Sequence, residues 1–174
     1  MAKPRAHSQQ EYWLKRARLR LGSTLKKAQR LKKITALGPC SRNWRAEIQL
    51  ASTAQMKRVN GKFLKKNFAT DVLSFPSGEP FYSLGHLGSV LICLPVLKRQ
   101  ARERKITPEM ELQILVAHAV LHLLGLDHEK SAKHAKKMAE FEEDLLHEIV
   151  PASWIRKSEG RCLVGLTGRV LLRR

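Results

Sequence analysis

The sequence predicts one layered α+β or α/β domain of about four strands and four or five helices. Three observations carry that expectation. Short runs suited to strands occur at 17–21, 45–51, 70–76 and 85–94, the first two with two-residue apolar alternation. Segments of 3.6-residue periodicity, with recognisable helix starts and stops, are interleaved with them. A chain of 174 residues, 43% of them hydrophobic, is long enough for one core, and a second domain is not expected.

In chain order, Ala17 to Leu21 alternates apolar residues with Arg18 and Arg20 and reads as a half-exposed strand. Gly22-Ser23 then opens a helix with Leu25, Ala28, Leu31 and Ile34 on one side, stopped by Gly38-Pro39. Arg45 to Ala51 is a second alternating strand, followed by a short basic helix from Thr53 to about Phe63. Thr70 to Pro76, TDVLSFP, is a β-rich run closed by Pro76 and a Ser77-Gly78 turn. Gly85 to Leu94 supplies the fourth strand, and Pro95 begins a helix of mixed charge. Thr107 is placed to cap the next helix, with Pro108 in its first turn and Glu109 and Glu111 where the helix dipole favours anions. That helix ends near Leu124 at Gly125. An amphipathic helix from about Ser131 to Ile149 follows, with Ala135, Met138, Leu145 and Ile149 inward. Residues 1–150 form the expected domain, and residues 151–174 a basic tail.

Charge narrows the partners. The net charge is +18, and it is lopsided: residues 1–66 carry 18 Lys and Arg against Glu11 and Glu47 alone. A field so concentrated attracts polyanions, which points to RNA or DNA. No apolar run is long enough for a bilayer, so a membrane partner is not expected. The basic, acid-poor start fits a cytoplasmic chain and is also compatible with an organellar transit peptide. Cys40, Cys93 and Cys162 form no CxxC pair, which argues for a reducing compartment and against a cysteine metal site.

The chemistry concentrates in His118-Ala-Val-Leu-His122-Leu-Leu-Gly-Leu-Asp127-His128. His118 and His122, four apart, share one helix face, and Gly125 can turn the chain so that His128 folds back beside them. Three imidazoles with a position left for water are a catalytic zinc arrangement. Two histidines with Asp127 would suit ferrous iron instead, but adjacent residues rarely point at one ion, so Asp127 is assigned to orienting a ligand or cradling the turn. A zinc peptidase of the HExxH type needs a glutamate after the first histidine, where this chain has Ala119. His134 and His147 lie in a charged helix, and His7 and His86 have no evident partner.

AHAVLHLLGLDH, together with Asn60 followed ten residues later by TDVLSFP, resembles the YbeY family of bacterial endoribonucleases over about residues 45–150. The resemblance implies helices on a small, mostly parallel sheet, a distantly metalloprotease-like zinc hydrolase. It also implies that His118, His122 and His128 hold one zinc ion, and that the chain acts in ribosomal RNA maturation and ribosome biogenesis. Three positions depart from the family pattern: Leu64 replaces an arginine, Ser89 a carboxylate after Gly88, and Ala119 a glycine. Lys65 or Lys66 is expected to supply the missing positive charge, with Lys62, Ser74 and Ser89 as further substrate contacts. Besides Lys65 and Lys66, Asp127 is a candidate catalytic residue. The leading expectation is a metal-dependent, single-strand-specific endoribonuclease. The alternative is a zinc-binding factor that docks on ribosomal RNA, the small ribosomal subunit or a ribosomal protein without cutting.

Overall fold

The computed structural model describes residues 6–35, 38 and 41–147. Ile149 and the basic tail lie outside the described residues. The elements run α1 (Ala6–Arg30), α2 (Lys32–Thr35), β1 (Arg45–Ala51), α3 (Thr53–Leu64), β2 (Val72–Pro76), β3 (His86–Cys93), α4 (Leu94–Arg104), α5 (Pro108–Leu123) and α6 (Ala132–Leu146). The α+β class holds, with three strands among the described residues instead of about four. Their order is β1-β3-β2, with β1 parallel to β3 and β2 antiparallel to it, so the sheet is mixed.

The missing strand is 17–21, which belongs to the long helix α1. Trp13, Ala17, Leu21, Leu25 and Ala28 are buried at intervals of four, four, four and three, the spacing of a helix face. Leu19 imitated a strand because it is an apolar residue on the solvent side, 60% exposed. Gly22 and Ser23 lie inside α1 and do not open it. The Ser23 hydroxyl donates to the Arg20 carbonyl at 2.9 Å, so its polar atom is satisfied without breaking the helix.

The other helices begin where the local chemistry puts them. Ser52 and Gln55 form a reciprocal capping box at the start of α3, each side chain accepting from the other's backbone N–H. The Thr107 hydroxyl accepts from Met110 N–H at 3.1 Å at the start of α5. From Leu112 to Leu121 every residue of α5 is buried, as expected of a helix at the centre of a domain. It meets α1, α4, α6, β2 and β3. Arg104 of α4 and Glu111 of α5 form a buried ion pair at 2.7 Å. Burial outweighs the neighbouring guanidinium and raises the Glu111 carboxyl to about 7.

Gly88 fixes the β2–β3 pairing. Its φ is +131°, and a Cβ there would lie 2.1 Å from the Phe75 carbonyl oxygen. Only glycine permits that approach. Among the described residues no helix is long and apolar enough to cross a membrane.

Candidate metal centre

The last two turns of α5 carry His118 and His122. Beyond Leu124 the chain reverses through Gly125, whose φ is +85°. Gly125 N–H donates to the His122 carbonyl at 2.9 Å and Leu126 N–H to the Leu121 carbonyl at 3.0 Å, the paired bonds of a Schellman motif. Leu126, 5% exposed, anchors the turn in the core. The Asp127 carboxylate accepts from Glu129 N–H at 2.9 Å, which holds the following residues in a tight turn. His128 is thereby folded back over α5.

The three imidazoles converge. Ring centroids are 4.6 Å apart for His118–His122, 5.2 Å for His118–His128 and 5.3 Å for His122–His128. One nitrogen from each lies within 4.8 Å of the other two. The Glu142 carboxylate of α6 meets His118 Nδ1 at 2.6 Å. An ionised carboxylate only accepts, so Nδ1 carries the hydrogen and Nε2 keeps its lone pair for the cluster. His118 Nε2 and His122 Nε2 face each other at 3.0 Å. Two such lone pairs repel unless a proton or a cation lies between them. In a tetrahedral zinc site with arms of 2.0–2.1 Å, ligand nitrogens sit roughly 3.3 Å apart. The donor set therefore fits a small divalent metal with affinity for imidazole, and the cluster could hold a metal ion.

Electrostatics keep His122 and His128 neutral. Burial, then the neighbouring His118 and His128, push His122 down to about 3. Burial and His118 likewise lower His128. Neutral imidazole is the form that binds metal.

The cluster forms one end of a cleft of about 450 Å³, with walls from the α3–β2 segment, β2 and the turn after α5. Of the residues expected from sequence, Lys66, Ser74 and Asp127 line it, and so does Leu64. The Ser74 hydroxyl donates to the Ala119 carbonyl at 3.5 Å, tying β2 to α5 beside the histidines. Lys62, Lys65 and Ser89 are not among its lining residues. Lys65 caps α3 in the left-handed conformation, φ 59°, a backbone role independent of charge. Ser89 sits in β3 opposite Glu47 and Phe75. Ala119 is fully buried in the main core, pointing its methyl group into packing.

Two features were missed from sequence. Glu142 stands on the inward stripe of α6 with Met138, Phe141 and Leu145, and a carboxylate among core positions was the available signal. Asp71, 4% exposed, accepts from Thr70 Oγ1, Val72 N–H and Gln100 Nε2 at 2.8–2.9 Å, and so fixes the entry to β2.

A family model described as Endoribonuclease YbeY matches residues 10–150. A relative named Endoribonuclease YbeY from Aquifex aeolicus is 37% identical over 119 residues, covering 68% of this chain and 78% of the relative. Another of that name, from Bdellovibrio bacteriovorus, is 48% identical over 82 residues, 47% of this chain and 52% of its own. A solution structure from Thermotoga maritima covers 84% of this chain and 87% of its own, at TM-score 0.47 and 24% identity.

Proposed function

Because the chain belongs to the YbeY family, we propose that it is a zinc-dependent endoribonuclease. Its substrate is unpaired RNA, its role the maturation of ribosomal RNA and ribosome biogenesis, and its place the cytoplasm. The observation that carries this reading is the convergence of three imidazoles at the end of an open cleft whose wall includes Lys66.

His118, His122 and His128 would hold one zinc ion, with Glu142 fixing the His118 tautomer and ring plane. Bound zinc supplies Lewis acidity, which polarises a phosphoryl oxygen and acidifies water. The surrounding side chains do the rest. Lys66 brings a positive charge to the cleft where a phosphodiester would lie. It is a point charge without the two-pronged geometry of arginine, so it attracts phosphate without fixing its orientation. Ser74 is held by its bond to Ala119 and keeps β2 at its distance from the ligands. The basic N-terminal region, 18 Lys and Arg within residues 1–66, suits ribosomal RNA or the small ribosomal subunit, where it would neutralise phosphates.

Leu64 favours a second reading. It lines the cleft and is 50% exposed, at a position where the family pattern calls for a cation. In that reading the chain binds zinc and docks on ribosomal RNA or a ribosomal protein without cutting. Incubating ribosomal RNA with the wild-type chain and with His122→Ala separates the two. Cleavage by the wild type alone supports the nuclease, whereas RNA binding with no cleavage by either supports the docking factor.

A further inference from the structure

Residues 48–70 contain Lys57, Arg58, Lys62, Lys65 and Lys66 and no acid. In the midst of these cations three large apolar side chains face solvent: Phe63 is 57% exposed, Leu64 50% and Phe68 45%. Leu64 and Phe68 line the cleft that ends at the histidines. Phe63, next to Leu64, stands edge-on to Phe75 of β2 with ring centroids 5.2 Å apart. The Lys62 ammonium lies 5.5 Å from the Phe63 ring centre.

Phe63 is anchored through its ring and Phe68 through its backbone. Phe75 braces the Phe63 ring, and Asn60, 1% exposed, donates from Nδ2 to the Phe68 carbonyl at 2.8 Å. The Phe63 ring, braced in this way, loses little freedom when a ligand covers it, and the Phe68 backbone is already fixed. Exposed apolar groups clustered together mark a surface that something covers. Aromatic faces set among ammonium groups match an unpaired nucleotide strand, whose bases stack on rings while its phosphates meet lysines. A protein partner would also bury the rings, but five cations with no acid among them favour a polyphosphate backbone.

We infer that Phe68 and Phe63 form a base-stacking platform for unpaired RNA, with Lys62 and Lys66 beside its phosphates. Phe68 stacks a base inside the cleft, and Phe63 stacks one next to Leu64. The platform deepens the nuclease reading, on which its choice of ligand rests, but it concerns binding and does not require cleavage.

The test is fluorescence anisotropy with a labelled 2′-O-methyl single strand and with an abasic strand of equal length and charge. Phe68→Ala is expected to weaken binding of the first by roughly 5- to 150-fold and to leave the second unchanged. Phe68→Trp, which restores a stacking face, is expected to recover the wild-type affinity. Phe68 is half-exposed, so these variants should fold, and their melting temperatures check it. Undiminished binding by Phe68→Ala would overturn the platform, as would an equal loss for both strands. Failure to bind either strand would overturn it too and assign the patch to a protein. His122→Ala keeps the two proposals apart: it should abolish cleavage while retaining base-dependent binding.

Discussion

Replacing Glu142 should loosen metal from the histidine cluster. The contact at stake is the 2.6 Å bond between its carboxylate and His118 Nδ1, with both side chains buried. A hydrogen bond to a charged group contributes about 1.5–3 kcal/mol. At 1.4 kcal/mol per decade, that corresponds to a roughly 10- to 150-fold loss of affinity. Outer partners of metal-bound histidines in general are worth about 10- to 100-fold. Glu142→Ala should therefore weaken zinc binding by one to two orders of magnitude. Glu142→Gln keeps a carbonyl acceptor within reach but loses the charge, so its loss should be smaller. Competition against a zinc-chelating indicator measures both, with melting curves of the metal-free variants confirming that they fold. Zinc affinity unchanged in folded Glu142→Ala would refute the reasoning, as would glutamine proving worse than alanine.

Acid should destabilise the metal-free chain. His122 titrates near 3 when folded and near 6.5 when unfolded, so below pH 6.5 the unfolded state takes up a proton that the folded state refuses. Stability should fall by on the order of 2 kcal/mol between pH 7.5 and 5, measured by urea titration, and by less in His122→Gln. Gly88→Ala should cost on the order of 3 kcal/mol, because the new methyl group would meet the Phe75 carbonyl and the φ of +131° is one that residues with side chains rarely adopt. An unchanged melting temperature would show that the β2–β3 pairing relaxes around it. Glu111→Ala strands the Arg104 guanidinium in the core and should cost about 3–5 kcal/mol, again by urea titration. A cost below 1 kcal/mol would mean that water reaches Arg104.

What the sequence made legible follows from how local each signal is. Thr107-Pro108 and the 45–51 alternation set their elements within a residue or so, because capping and burial of one strand face are decided by neighbours in sequence. The histidine spacing with Gly125 foretold the cluster for the same reason: a helix face and one left-handed residue are enough to converge the rings. The error at 17–21 arose because five residues of alternation cannot outweigh a helical stripe running from Trp13 to Ala28. Glu142 was missed because its partner is 24 residues away and depends on how α6 packs on α5. Lys65 and Ser89 were put forward for their chemistry, yet their positions are set by a helix cap and a strand register.

A metal held by His118, His122 and His128 should be needed to cut RNA. Elemental analysis of the purified chain, combined with cleavage of single-stranded ribosomal RNA before chelation, after chelation and after zinc is restored, tests it most directly. One zinc per chain is expected, with loss of cleavage on chelation and recovery on adding zinc back. Cleavage that persists in verified metal-free protein would contradict it, and so would fully zinc-loaded protein that cuts nothing.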